Sequence, residues 1–175
     1  MSVTIQAAPL LQGFPPVVGD GARVLVLGSM PGQASLAAQE YYAYGQNAFW
    51  RIMGDLIGAG PTLPYSQRLG KLKMAGIALW DVMAACERKG SLDADIVASS
   101  IQSNDFAGFF AEHPGISRVF FNGAAAETSF RRLVLPGLAD RGLHLTRLPS
   151  TSPAHAASSY ADKLAAWSVV LVAPD

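Results

Sequence analysis

Four short apolar runs stand out along the chain: Arg23 to Leu27, Gly76 to Trp80, Arg118 to Phe121 and Leu143 to Leu148. Each has the length of a strand. Continuous rather than alternating apolar character fits strands buried on both faces of a parallel sheet. Between them lie segments with helical spacing, Ala48 to Ile57, Asp93 to Ile101, Asp105 to Glu112 and Ala124 to Leu133, and Ala161 to Val172 makes a closing helix. Strands alternating with helices predict an α/β fold, a three-layer α/β/α sandwich around a central four-stranded, mostly parallel sheet. Residues 1 to 22 read as an irregular lead-in, rich in Ala, Pro and Gly from residue 7 onwards. No repeat, low-complexity tract or linker interrupts the pattern, which predicts one domain over residues 1 to 175.

Every predicted strand runs into small or polar residues. The first ends in Gly28-Ser29-Met30, the second in Asp81, the third in Asn122-Gly123 and the fourth in Pro149 to Pro153. In a parallel sheet these ends converge on one edge, where open α/β sheets keep their ligand sites. Tyr41, Tyr42, Tyr44, Phe49 and Trp50 follow the first of these turns and suggest a pocket for something flat.

Composition narrows the picture in a few places. A chain of 175 residues buries about two-thirds of its unfolded surface, and a half-hydrophobic, 15% charged composition suits a globular soluble protein. Thirteen basic residues balance thirteen acidic ones, so no global charge points to nucleic acid, although a local basic patch remains compatible with neutrality. One cysteine, Cys86, rules out an internal disulfide framework and a four-cysteine metal or iron–sulfur site. The N-terminus lacks a signal-peptide pattern, and no apolar run approaches the ~20 residues that span a bilayer. The expectation is a cytoplasmic protein with no membrane partner.

Local motifs leave two readings open at each position. Gly28-Ser29-Met30-Pro31-Gly32 matches neither the phosphate loop nor the dinucleotide fingerprint, and is either a tight strand-to-helix turn or part of a binding site. Asn47 is either a helix cap or a holder of water. The tyrosines either pack on the sheet or offer a ring to a planar base. Asp81 either caps a turn or accepts a hydrogen bond from a base. The hydroxyls of Ser150, Thr151 and Ser152 beside His155 suit a phosphate or substrate contact.

Taken in order, GSMPG (28–32), YYAYGQNAFWRI (41–52), LWDV (79–82) with CERKGSLDADI (86–96), FFNG (120–123) and LPSTSPAHA (148–156) resemble the uracil-DNA glycosylase superfamily, and within it the DNA-deoxyinosine (hypoxanthine-DNA) glycosylase branch. The resemblance runs from Arg23 to Trp167. It implies a uracil-DNA glycosylase-like fold, a DNA partner carrying a deaminated base, no cofactor or metal, and a monomer. The superfamily's water-positioning residue falls on Met30, which cannot do that work. As in the deoxyinosine branch, the role passes to Asn47. Gly28, Ser29, Met30, Pro31, Tyr42, Phe49, Asp81 and Asn122 are then the expected base-binding set, with Tyr42 as stacking platform. Ser150, Thr151, Ser152, Pro153, Ala154 and His155 are the expected DNA-binding loop, with Ala154 and His155 as the wedge. Ser150 replaces a histidine that stabilises the leaving group in uracil enzymes, which makes hypoxanthine the first substrate expected and uracil the second. Tyr44-Gly45-Gln46 also departs from the branch's histidine-proline-arginine. The implied reaction is hydrolysis of the N-glycosidic bond without lyase activity. Two rivals stand beside it: a nucleotide-binding α/β domain without glycosylase activity, and a hydrolase using Ser152 and His155.

Overall fold

The computed structural model describes residues 9 to 173; the first eight positions of the expected lead-in lie outside it. In chain order the elements are β1 (Leu10–Gln12), β2 (Val24–Gly28), α1 (Gln33–Ala38), α2 (Phe49–Ile57), α3 (Tyr65–Met74), β3 (Ile77–Asp81), β4 (Met83–Glu87), β5 (Gln102–Ser103), α4 (Phe106–Glu112), β6 (Arg118–Asn122), α5 (Ala124–Leu133), β7 (His144–Leu148) and α6 (Tyr160–Trp167). The four apolar runs become β2, β3, β6 and β7. They form one sheet of order β3-β2-β6-β7 in which every pairing is parallel.

Alternation along the strands sorts the core into two layers. Val24, Val26, Ile77, Leu79, Phe120 and Leu148 face α2, α3 and α6 through Phe49, Ile52, Met53, Leu72 and Trp167. Leu25, Leu27, Ala78, Trp80, Val119 and Phe121 face α4 and α5 through Phe106, Phe109, Phe110 and Phe130. The three-layer sandwich expected from the pattern is therefore present. Its central strands are apolar throughout because both faces are covered.

Two expectations need correction. The lead-in is not wholly irregular: β1 pairs with β4, and Val17 exchanges both backbone hydrogen bonds with Leu79 at 2.8 Å, extending the parallel sheet by one antiparallel bridge. Asp93 to Ile101 is not an α-helix. It holds two 3-10 turns, Asp93–Asp95 and Ala98–Ser100, while Val97 N–H donates to Glu87 O at 2.9 Å and Glu87 N–H to Ser100 Oγ at 2.7 Å. The backbone of β4 needed partners on this side, and a helix here could not have supplied them. Ile96 and Ile101, which suggested helical spacing, pack instead on Met30, Met83 and Cys86 under the small antiparallel sheet β1-β4-β5.

Candidate active site

In the sheet register Gly28 stands beside Asp81 and Asn122 beside Leu148, so the four strand ends lie level. Beyond them opens a cleft of about 760 Å³, lined by the turn 28–35, Tyr41, Tyr42, Tyr44, Asn47, Asp81, Asn122 and the loop 150–155. A further wall, Ser91 to Ala94, comes from the segment after β4. Ser91 Oγ accepts the N–H of Gln33 at 2.9 Å, and Ser29 Oγ donates to Asp93 Oδ1 at 2.5 Å, which pins that wall to the glycine turn.

Arg88 fixes the turn from behind. It is 2% exposed, and its guanidinium donates to Pro31 O at 2.7 Å and Gly90 O at 2.8 Å, with Nη1 unpartnered among the described residues. Met30 is buried against Met83 and Cys86 as well as lining the cleft, so its side chain locks the turn to β4. Ser29 O and Gly28 O accept from Met83 and Val82 at 3.1 and 2.9 Å. The N–H groups of Ser29 and Met30 donate to no acceptor among the described residues, leaving two backbone donors at the strand end.

Tyr42 has a φ of 54°, a left-handed conformation that a bulky residue adopts only when its surroundings force it. Here they do. Tyr41 is held by three bonds: its hydroxyl donates to Pro15 O at 2.8 Å, its N–H donates to Tyr65 Oη at 3.0 Å, and its carbonyl accepts from Trp50 Nε1 at 2.8 Å. Ala43 N–H is held by Ser35 Oγ at 3.1 Å. The Tyr42 ring stacks on Phe49 with centroids 4.2 Å apart, and its hydroxyl accepts from Asn122 Nδ2 at 3.1 Å. One face is thus covered by Phe49, and the residue lines the cleft. Phe49 itself is fully buried and does not line the cleft, so its expected contact with a base is replaced by support of Tyr42 from beneath.

Asn47 is not the N-cap of α2, which is Ala48 without a side-chain cap bond, but stands one residue before it and bonds the helix start. Its Oδ1 accepts the N–H of Phe49, the first residue of α2, at 2.9 Å. An amide oxygen has two lone pairs, and Asn47 also lines the cleft, so this bond fixes the side chain while leaving an acceptor for water. Asp81 is 4% exposed at the cleft floor, with Oδ2 unpartnered among the described residues. Burial raises its pKa to about 7, Asp93 adds to the rise, and Arg88 opposes it.

Asn122 and Thr151 behave differently from expectation. Asn122 Nδ2 donates to Tyr42 Oη and to Thr151 Oγ1 (2.9 Å), and its Oδ1 accepts Thr151 N–H at 2.9 Å. With both amide hydrogens spent, Asn122 has nothing left to donate to a base; it is a clamp between Tyr42 and the loop. Thr151, 1% exposed, is the other half of that clamp, and its carbonyl accepts Ala48 N–H at 2.9 Å. It is therefore unavailable to phosphate. Ser150 and Ser152 serve local turns, accepting from Ser152 N–H and Ala154 N–H at 3.2 Å each, while Pro153 and Ala154 are exposed and His155 is half-buried. The wall residues Ser91 to Ala94 and the buried Arg88 were not among the expected site residues. Their signal was CERKGSLDADI (86–96), one of the motifs that carry the resemblance, to which no site role was attached. No cluster of metal-ligating side chains is found among the described residues, and no helix among them is long and apolar enough to cross a membrane.

An all-parallel β3-β2-β6-β7 sheet between helix layers, with its cleft at the carboxyl ends, defines a uracil-DNA glycosylase-like α/β protein. A solution NMR structure from Methanosarcina acetivorans, named as a candidate uracil DNA glycosylase, superposes with a TM-score of 0.74 at 32% identity, covering 93% of this chain and 99% of that one. Two relatives carry the name hypoxanthine DNA glycosylase. The one from Methanosarcina barkeri is 40% identical over 113 residues, which is 64% of this chain and 70% of that protein. The one from Methanosarcina acetivorans is 37% identical over 145 residues, 82% of this chain and 87% of that protein. No family model matches the chain. The chain belongs to the hypoxanthine DNA glycosylase branch of the uracil-DNA glycosylase superfamily.

Proposed function

We propose that this protein is a monofunctional glycosylase that takes a deaminated base, hypoxanthine first and uracil second, out of DNA and hydrolyses its N-glycosidic bond. The observation that carries this reading is the Tyr42 ring, stacked on Phe49 and lining the same cleft as Asp81, which has a buried, unpartnered oxygen. A flat base stacks on Tyr42, gaining about 1–3 kcal/mol. The Asp81 carboxylate accepts the ring N–H, and the backbone N–H groups of Ser29 and Met30 donate to the neighbouring carbonyl. Flipping costs a few kcal/mol, least at a mispaired or deaminated base.

The C1′–N bond breaks towards an oxocarbenium-like sugar, with the electron pair leaving on the base, where the Ser29 and Met30 N–H donors stabilise the developing charge. Asn47 is neutral and cannot act as a strong base. Orienting water through its second lone pair suffices, because a nearly dissociated sugar needs little nucleophilic push. The loop 150–155 meets the DNA flanking the flipped base through Ser150, Ser152 and the exposed Pro153-Ala154 tip, with His155 beside it. A cytoplasmic, monomeric enzyme completes the reading.

Asn47→Ala should abolish release of hypoxanthine from a deoxyinosine duplex in single-turnover assays, while the mutant still binds that duplex. Unchanged excision rates would overturn the role of Asn47. Release of base by the wild-type protein from free nucleosides but not from oligonucleotides would instead favour a nucleotide-handling domain.

A further inference from the structure

Arg88 follows β4 directly, its backbone bridges to Ile96, and its side chain is shut away from water. The guanidinium donates to two neutral acceptors, Pro31 O and Gly90 O, while Nη1 is buried without a partner. Among the described residues no carboxylate lies within ion-pair distance of it. Arginine keeps its charge in a protein interior. A buried charge without a counter-ion is costly, and a neutral donor could tie the same two carbonyls at less cost. Holding the turn to the wall therefore accounts for the hydrogen bonds of Arg88 but not for its charge.

That charge stands behind the turn 28–32. The peptide joining Pro31 to Gly32 is trans, so its C=O and N–H point opposite ways. Anchoring Pro31 O on Arg88 at 2.7 Å thus aims the Gly32 N–H away from the guanidinium. This N–H meets no acceptor among the described residues, and Gly32 lines the cleft. A cation at the carbonyl end of a peptide polarises it and makes its N–H a stronger donor. The field also reaches the cleft floor, where Arg88 opposes the rise in the Asp81 pKa that burial and Asp93 cause.

Breaking the C1′–N9 bond of deoxyinosine sends the bonding pair onto the purine, where the negative charge spreads to O6. Water adds to C1′, and the proton it loses ends on the base. We propose that Arg88 is a positioning residue for this step, its fixed positive charge acting through the Pro31–Gly32 peptide to bias the turn towards the departing base anion. This rests on the glycosylase reading and adds to it a residue that touches neither base nor sugar. One hydrogen bond and one to two residues of chain separate the guanidinium from the turn N–H groups, about 8 Å. At an effective dielectric constant of about 20, a unit charge at that distance favours an anion about thirtyfold. Being fixed before the reaction, it needs no reorganisation as the bond breaks.

The test pairs Arg88→Gln, which keeps a donor and loses the charge, with Arg88→Lys, which keeps the charge. Single-turnover excision is followed on duplexes bearing deoxyinosine or 8-aza-deoxyinosine, whose bases share an outline and an O6/N1–H edge. The 8-aza base leaves as the more stable anion and needs less help. Arg88→Gln should slow release of hypoxanthine about thirtyfold and of 8-azahypoxanthine less than about fivefold. Its affinity for a duplex with non-hydrolysable 2′-fluoro-deoxyinosine should stay within about threefold of wild type, and Arg88→Lys should restore both the rate and the ratio between bases. Equal slowing of the two bases, an unslowed Arg88→Gln, or a folded Arg88→Lys as slow as Arg88→Gln would overturn the assignment. Thermal unfolding is recorded for each variant. If Arg88→Gln does not fold, Arg88→Lys decides: folded with wild-type rates it upholds the role of charge, and folded but slow it overturns it. Failure of both to fold would make Arg88 a part of the fold alone and overturn the assignment too. Excision of hypoxanthine by the wild type together with any of these overturning results sinks only the Arg88 assignment; its absence sinks the glycosylase reading and the assignment with it.

Discussion

The Asp81 carboxyl costs the fold what it gives the cleft. Its pKa is raised from 3.8 to about 7, so the native state holds a proton that the unfolded chain has released over this interval. Stability therefore falls as pH rises from about 4 to about 7, and above that the penalty stays at its full value, on the order of 4 kcal/mol. Asp81→Asn, nearly the same shape without the charge, should raise the thermal midpoint at pH 8 and change it little at pH 4. Equal shifts at both pH values would refute the burial cost. This is the usual pattern when a site is kept at the expense of stability. At this scale the sequence was informative where chemistry follows from residue type and strand position. Asp81 and Asn47 fall at a strand end and at a helix start, and both line the cleft. It was uninformative about which way a side chain is committed. Nothing in FFNG says that both Asn122 hydrogens go to Tyr42 and Thr151, and nothing in NAFW says that Phe49 faces inward under Tyr42.

Elements reach the site through side chains that bind one loop to another. The segment 149–155 is held from two sides. Asn122 at the end of β6 holds Thr151, and α6 holds the rest through Trp167 Nε1–H to Pro149 O at 2.9 Å and Lys163 Nζ to Ser152 O at 3.4 Å. Burial lowers the Lys163 pKa, as expected for an ammonium kept from water. Asn122→Asp keeps the acceptor for Thr151 N–H but removes both donors, so the Thr151 and Tyr42 hydroxyls must turn to donate to a carboxylate placed where the fold holds a neutral amide. It should destabilise the protein by about 1–3 kcal/mol in chemical denaturation, and excision should slow because the platform and the loop lose their tie. Unaltered stability would show that the clamp is dispensable. The strands β2, β3 and the centre of β6 were legible because both-sided burial writes an unbroken apolar run, whereas β7, HLTRL at the sheet edge and mostly exposed, showed only its leucines. The small sheet was not. Its β1 has three residues and β5 two, too short for any periodicity, and β4 reads MAACE because one side packs on Met30 while its edges pair with both neighbours. The same edge pairing turned Asp93 to Ile101 away from the helix that its apolar spacing suggested.

At the level of the whole molecule, a balanced charge raises the question of how the protein would hold a polyanion. Thirteen Lys and Arg against thirteen Asp and Glu leave no net field, and the cleft lining contains Asp81, Asp93 and His155 but no Lys or Arg. Of the cations on the surrounding elements, Arg88 is buried behind the turn and Lys163 is bound to the loop carbonyl, whereas Lys89 beside the wall and Arg147 near the end of β7 are exposed. Arg51 lies 3.6 Å over the Tyr160 ring, whose hydroxyl donates to Asp55 Oδ2 at 2.5 Å. On the proposed reading, phosphate contact in the cleft would fall mainly to neutral donors, the hydroxyls and backbone N–H groups of the strand-end loops, which orient a backbone without neutralising it, with at most Lys89 and Arg147 adding charge. Each phosphate neutralised by a cation contributes about −0.9 to the slope of log affinity against log salt. A site built this way should give a shallow slope, no steeper than about −3, for a lesion duplex titrated across a range of salt. Affinity should depend instead on the flipped base, so an undamaged duplex should bind far more weakly with the same slope. A slope near −6 would mean that a basic surface away from the cleft carries the DNA, and the cleft's neutral loops would then be bystanders to binding.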